Sequence, residues 1–175
     1  MDADEPTRCI CPLLAEQLLA AMEDVFGSDR QRIDHTRRVL GYAEDILDAQ
    51  PGPSPEVVVA AAILHDIGIH AAKARHGSSA GPYQEIEGPP IAREIMEVLS
   101  IDAGTVEHVC RIIANHHSAA DCDTPEFRVI WDADNIVNMA KIADKADRAR
   151  AIKHIAMVFK TSAGKRLAEQ VYRLG

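Results

Sequence analysis

A His-Asp doublet at positions 65 and 66 follows directly on an apolar run, residues 57–64. An ionised aspartate is seldom buried unless it is paired with a cation or hydrogen-bonded. Asp66 therefore needs a compensating partner in the folded protein, and that partner is either a structural hydrogen bond or a metal ion. The doublet alone leaves both explanations open.

A histidine earlier in the chain also faces the interior. His35 is followed by Val39, Tyr42 and Ile46, at spacings of four, three and four residues that place all four side chains on one helix face. A single inward histidine is commonly a hydrogen-bonded core residue. It gains interest here because it is the second potential metal ligand in an apolar helix.

Two further pairs of such residues occur in apolar helical segments. His116 and His117 are adjacent, so their side chains project about 100° apart on a helix and one of them is expected to face inward. Asp132 and Asp134 project about 200° apart, so only one can contribute to a shared site. Histidines and carboxylates on facing helices form metal sites in helical bundles, and this mixture suits a divalent metal with open positions. The sequence therefore predicts a metal site.

The elements that position these residues are predicted to be helices throughout. Apolar residues recur at helical spacing, and no alternating run is long enough to form a sheet. We expect an all-α, single-domain bundle of seven or eight helices with the metal site between the central ones. Its parts are an N-terminal helix (1–27), a core (28–146) and C-terminal helices (147–175). Residues 68–90, which are rich in Gly, Ser and Pro, are predicted to form a loop.

Composition restricts the partners. The 175 residues include 19 Lys plus Arg and 27 Asp plus Glu, a net charge of −8, which disfavours nucleic-acid polymers and anionic membranes. Residues 1–6 lack the pattern of a secretory signal and no apolar stretch is long enough to cross a bilayer, so we predict a cytoplasmic protein. Cys9 and Cys11 are interpreted as unremarkable thiols, with a metal or redox role as the alternative.

The order of these residues resembles the HD-domain superfamily of metal-dependent phosphohydrolases, which carry a His, a His-Asp doublet and an Asp on successive helices. Residues 63–68, Ile-Leu-His-Asp-Ile-Gly, are similar to the LHDIG signature of that superfamily. The resemblance extends from about residue 28 to residue 139. It implies that one divalent ion (Mn, Mg, Fe, Co or Ni) is held by four ligands: His35, His65, Asp66 and Asp134.

The choice of Asp134 rests on residues 133–138, Ala-Asp-Asn-Ile-Val-Asn, which are similar to the metal-binding segment of guanosine polyphosphate hydrolases. Asp132 is then left with a supporting hydrogen bond or an exposed position. His116 and His117 resemble the double histidine of two-metal members. A further histidine of those members is missing, and Gln84 takes its place with Glu85 and Glu87 nearby. We therefore predict one metal, with a weaker second one as the alternative.

The resemblance implies hydrolysis of a small phosphorylated metabolite or nucleotide. Asp66 would act as ligand and base, and His116 or His117 would orient phosphate or donate a proton. Residues that can contact phosphate follow the doublet: His70, Arg75 and His76. Ile69 stands where several known subfamilies carry Glu or Lys, which places the chain outside them. The alternatives are a di-iron oxygenase of the same superfamily and a non-catalytic binding module, and exposed apolar faces are compatible with a homodimer.

Overall fold

The apolar run at residues 57–64 forms a helix that other helices surround. The structure is a computed structural model that describes residues 12–143 and 148–174; within those ranges it contains helices and no strands. The helices in chain order are α1 (Pro12–Phe26), α2 (Arg30–Ala49), α3 (Pro55–Leu64), α4 (Ile69–His76), α5 (Gly81–Val98), α6 (Ala103–Ile113), α7 (Pro125–Ala143), α8 (Arg148–Val158) and α9 (Ser162–Val171). The all-helical fold predicted from the sequence is confirmed.

Helix α3 is the centre of the bundle. Every residue from Val57 to Leu64 is buried, because α3 packs against α1, α2, α6 and α7. Within the described ranges, no single helix is long and apolar enough to cross a membrane; α3 and α4 meet the length and composition criteria only as a pair bent by 41°. Leu18, Met22 and Phe26 of α1 belong to the same apolar core as α3.

The described ranges hold nine helices rather than seven or eight, and the difference lies in residues 68–90. The predicted loop is wrong there, because α4 and the first half of α5 occupy the segment. Gly77 ends α4 with a left-handed φ of 68°, and Pro82 lies in the first turn of α5, where a missing N–H costs no helical hydrogen bond. Gly77, Gly81 and Pro82 thus mark a short junction between two helices, whereas Pro89 and Pro90 lie inside α5.

The turn that follows the His-Asp doublet packs backbone to backbone on α5. A Cβ added to Gly68 would lie 2.5 Å from the backbone nitrogen of Gly88 and 2.9 Å from the carbonyl oxygen of Gln84. A Cβ on Gly88 would lie 2.7 Å from Cγ2 of Ile113, the last residue of α6. Two glycines therefore hold the doublet, α5 and the end of α6 in close contact.

The C-terminal helices are attached to α7 through Asp132, which is 0 % exposed. Its carboxylate accepts hydrogen bonds from the backbone N–H groups of Lys160 (2.7 Å) and Thr161 (2.8 Å) and from the Thr161 hydroxyl (2.7 Å). The same hydroxyl accepts a hydrogen bond from the backbone N–H of Gly164 and so caps α9. A Cβ on Gly164 would overlap the Asp132 carboxylate, so this connection also requires a glycine.

Replacing Gly68 by alanine is expected to lower the free energy of unfolding by about 1–3 kcal/mol, because the added methyl group meets backbone atoms that cannot rotate away. Gly41→Ala is the matched control: Gly41 lies inside α2, and a Cβ added there would have nothing within 4 Å, so the substitution should raise stability by about 0.5–1 kcal/mol. Urea unfolding followed by circular dichroism measures both. Equal effects of the two substitutions would contradict the close packing at Gly68.

Candidate metal centre

The His-Asp doublet lies at the C-terminal end of α3, where the polypeptide leaves the core. His65 caps the helix and is 1 % exposed. Its Nδ1 lies 2.9 Å from the carbonyl oxygen of Ala62; a carbonyl only accepts, so Nδ1 donates and the Nε2 lone pair of the neutral ring is free to bind a cation. Burial lowers the pKa of His65, more than the neighbouring carboxylates raise it, and this keeps the ring neutral.

Donor atoms from two other helices meet Nε2 of His65. His35 Nε2 on α2 lies 3.3 Å from it, and Asp134 Oδ1 on α7 lies 3.8 Å from it. Asp66 Oδ2 lies 3.7 Å from His65 Nε2 and 3.5 Å from His35 Nε2. The distance between His35 Nε2 and Asp134 Oδ1 is 3.1 Å. These four side chains form what we call the donor cluster.

The donor cluster has the dimensions of a coordination shell. Two atoms that each lie about 2.1 Å from one cation are separated by about 3.0 Å in adjacent octahedral positions and by about 3.4 Å in a tetrahedron. The measured separations run from 3.1 to 3.8 Å. Two imidazole nitrogens and two carboxylate oxygens at this spacing fit a divalent metal ion such as Mn, Fe, Co or Ni; Mg prefers more oxygen ligands.

A second group of donors lies on the other side of Asp66. His116 Nδ1 donates to the carbonyl oxygen of Ile113 at 2.7 Å, which directs Nε2 toward Asp66 Oδ1 at 3.6 Å. That Nε2 atom is buried and has no hydrogen-bond partner among the described residues. Asp66, His116 and His117 each place a ligand atom within 4.8 Å of the others. The carboxylate of Asp66 thus has one oxygen facing each group.

The charges of the centre depend on one another. Burial alone would raise the pKa of Asp66, but the imidazoles of His65, His116 and His35 hold it well below its usual range. Burial likewise opposes the proton on His116, yet the Asp66 carboxylate outweighs burial and raises the pKa of that imidazole. Asp66 is therefore ionised at neutral pH and shares its negative charge between both groups.

Two side chains at the cluster were not singled out from the sequence. The Asn138 amide donates to Asp134 Oδ1 at 2.9 Å from one helical turn away and so fixes the carboxylate. Arg32, one turn before His35 on α2, places Nη1 3.8 Å from Asp66 Oδ2. Their spacing from a predicted ligand on the same helix is the signal that could have found them.

Several residues predicted for a second metal are hydrogen-bonded elsewhere. Glu85 accepts the backbone N–H groups of His117 at 3.0 Å and Ser118 at 2.8 Å, at the end of α6. Gln84 donates to the carbonyl oxygen of Ser79 at 2.7 Å. Its Oε1 is buried without a hydrogen-bond partner in the described part of the chain. Glu85 thus orders the histidine pair from outside.

The residues predicted to contact phosphate are ion-paired. Arg75 Nη1 and His76 Nε2 lie 2.5 Å and 2.9 Å from the carboxylate oxygens of Glu87, which is itself largely buried. His70 Nε2 lies 3.0 Å from Oδ2 of Asp29, the N-cap of α2. Glu87 is therefore engaged by Arg75 and His76, and the structure places none of these side chains in either donor group.

Asp132 and the cysteines lie outside the donor groups. Asp132 is buried, and its carboxylate is bound to Lys160 and Thr161 in the connection between α8 and α9, as described above. Cys9 and Cys11 lie outside the described residues. Cys110 and Cys122 are buried and free.

Comparison with known proteins identifies the family. The model of the HD domain matches residues 32–152, so the chain belongs to the HD domain family, as the doublet and its partners indicated. A crystal structure of a predicted HD superfamily hydrolase from an uncultured Thermotogales bacterium is 22 % identical, with a TM-score of 0.67 over 90 % of this chain and 84 % of that chain. At this identity the likeness concerns the fold. No curated protein matches the chain.

Replacing each aspartate of α7 by asparagine in turn should distinguish the metal ligand, Asp134, from the residue that stabilises the fold, Asp132. Asp134→Asn is expected to weaken Mn²⁺ binding by more than about 100-fold because it removes an anionic ligand. Asp132→Asn should leave Mn²⁺ affinity unchanged and lower the free energy of unfolding by about 1–3 kcal/mol, since its amide nitrogen cannot accept the N–H group bound by the oxygen that it replaces, that of Lys160 or that of Thr161. Calorimetric titration and urea unfolding measure the two quantities. Loss of metal in Asp132→Asn alone would reverse the assignment.

Proposed function

We propose that this protein is a metal-dependent phosphohydrolase that acts on a small phosphorylated metabolite or nucleotide. The observation that carries the proposal is the donor cluster, in which four side chains from α2, α7 and the end of α3 bring potential ligand atoms to separations of 3.1–3.8 Å. Membership of the HD domain family supports it. The crystal structure with the same fold is named a predicted hydrolase, and we extend that activity to this chain as part of the proposal.

His35, His65, Asp66 and Asp134 would hold the cation. A divalent metal ion bound there supplies Lewis acidity toward a phosphoryl oxygen and makes water acidic enough to act as a nucleophile near neutral pH. The Nδ1 hydrogen bond of His65 and the Asn138 amide on Asp134 keep two of the four ligands oriented before any ion arrives. The chain therefore contributes a preorganised site.

Proton transfer is assigned to the side chains next to these ligands. The Oδ1 atom of Asp66, 3.6 Å from His116 Nε2, is placed to accept a proton from water and pass it to that imidazole. His117 is exposed, and its ring lies against Gly81 at the start of α5. His116 would then return the proton taken from water to the leaving oxygen, and His117, at the solvent side, would orient the phosphate.

A di-iron oxygenase is the alternative that the second donor group favours. Asp66 would help to hold both irons, because its Oδ2 faces His35 and His65 while its Oδ1 faces His116. Two-iron chemistry needs a full second set of ligands, and Gln84 stands where a histidine is expected in that set. We retain the prediction of one tightly bound metal, with a second that binds more weakly.

Phosphate release decides between these functions. We expect the metal-reconstituted protein to release phosphate from at least one substrate in a panel of phosphomonoesters, nucleotides and phosphodiesters. Activity should vanish on chelation and return with Mn²⁺. Asp66→Asn should lower kcat by at least about 1,000-fold, because it removes both a ligand and a proton acceptor. Asp45→Asn, an exposed carboxylate on α2, is the control and should behave as wild type.

The metal content of the purified protein, measured together with phosphate release, shows which outcome would contradict the hydrolase proposal. Two irons per chain, with an oxidation-sensitive absorption spectrum and no phosphate release from the panel, would overturn the hydrolase in favour of the oxygenase. Stoichiometric metal binding without either activity would leave a binding module.

A further inference from the structure

We propose that Arg32 binds the phosphoryl group of the substrate, at the edge of the donor cluster beside Asp66. The inference deepens the proposed function and rests on it. It replaces the sequence-based expectation for His70, Arg75 and His76, which the structure finds in ion pairs with Asp29 and Glu87.

Arg32 is held loosely and close to the reacting centre. Its Nη1 lies 3.8 Å from Asp66 Oδ2, which is longer than a hydrogen bond. The structure gives the guanidinium no hydrogen bond to any described residue. The side chain is 32 % exposed, so that part of it is open to an incoming ligand while its base is fixed on α2 one turn from His35.

The other arginines with ion-pair partners are committed to carboxylates away from the cluster: Arg37 to Glu23, Arg75 to Glu87, Arg93 to Glu107 and Arg128 to Asp123. Lysine is not an equivalent substitute at such a place. The planar guanidinium offers parallel N–H donors that match two phosphoryl oxygens, whereas an ammonium group is a point charge. Arg32 thus has both the chemistry and the freedom that phosphate recognition needs.

Once a divalent ion is bound, the donor cluster has no net positive charge left to match the negative charge of the substrate. Asp66 and Asp134 carry one negative charge each when ionised, and together they neutralise a divalent ion, while His35 and His65 add none when they coordinate as neutral rings. A phosphomonoester carries close to two negative charges at neutral pH. Arg32 supplies positive charge next to the ligand Asp66, where a phosphoryl oxygen must lie to reach the same ion.

Metal binding would also release Arg32 for this role. In the structure the guanidinium lies 3.8 Å from Oδ2 of the ionised Asp66 carboxylate. A cation on Oδ2 of Asp66 would cancel that attraction and repel the guanidinium. The arginine is then free to pair with an anion that approaches the open side of the cluster.

Inorganic phosphate is the probe for the test. Calorimetric titration of phosphate into protein loaded with Mn²⁺, with excess metal removed, should show binding to wild type. In R32Q the affinity should fall about 10- to 100-fold, the range expected for loss of charge-assisted hydrogen bonds. R32K should fall between the two, because it keeps the charge and loses the paired donors.

Arg30→Gln is the matched control. Arg30 is exposed and lies two residues before Arg32 on α2, so its side chain points about 160° away around the helix. The control removes the same charge from the same helical turn and should change phosphate affinity by less than about threefold. Mn²⁺ affinity, titrated separately, should be equal in wild type and R30Q and should not fall in R32Q, because the guanidinium beside Asp66 repels the ion.

Three results would overturn the assignment. These are the absence of phosphate binding by the loaded wild-type protein, equal phosphate affinities in R32Q and R30Q, or a loss of Mn²⁺ affinity in R32Q that accounts for the phosphate loss. A loss of Mn²⁺ affinity in R32Q would mean that Arg32 positions the metal ligand Asp66 and does not contact phosphate.

Failure of the hydrolase proposal would look different. Phosphate binding that depends on Arg32, combined with no phosphate release from any ester, would refute hydrolysis and leave the anion contact in place. If hydrolysis is found, R32Q should raise KM by about the factor by which it weakens phosphate binding, with a smaller change in kcat. An unchanged KM in an active R32Q enzyme would contradict the role of Arg32 without affecting the hydrolase.

Discussion

The ionised carboxylate of Asp66 at the end of an entirely apolar helix is the constraint on which the arrangement depends. An uncompensated charge at this depth would cost several kcal/mol. The surrounding elements supply the compensation: α2 brings His35 and Arg32, the end of α6 brings His116, and His65 precedes it in the chain. These groups reduce the cost of the buried charge, and the histidines among them, together with Asp134, present lone pairs to a cation. Stability of the apoprotein and affinity for metal therefore draw on one set of contacts.

Orientation of the ligands comes from backbone atoms rather than from additional side chains. His65 and His116 each donate Nδ1 to the carbonyl oxygen three residues earlier, at the place where a helix ends and its last carbonyls lack helical partners. A single hydrogen bond thus satisfies an otherwise free carbonyl, selects the tautomer and aims Nε2 at Asp66. Because this hydrogen bond needs a carbonyl group near the end of a helix, both histidines lie where a helix ends. The glycine contacts of the turn at Gly68 then fix where those two helix ends meet.

Helical periodicity was sufficient to predict the fold and the inward faces of His35 and one residue of each later pair, because spacing along a helix determines which residues share a side. It could not predict partners, which are tertiary. Glu87 and Arg75 are twelve residues apart and Asp132 and Thr161 are 29 apart, and nothing local links them. Residues 68–90 were predicted to form a loop because Gly77 and Pro82, at helix ends, look the same in sequence as in a loop, and because Pro89 and Pro90, which usually interrupt a helix, lie inside α5. Arg32 and Asn138 were within reach, each one helical turn from a predicted ligand.

The two aspartates of α7 serve opposite sides of one helix. Asp134 faces the donor cluster, and Asp132 is bound to the backbone that joins α8 to α9. Shortening the chain before Lys160, or fusing a partner domain so that this connection is pulled away, would strip a buried carboxylate of its donors. Helix α7 would then be free to rotate or shift, and one metal ligand would move with it. Activity lost on C-terminal tagging or truncation would therefore report displacement of a ligand far upstream in the chain, rather than removal of a catalytic group.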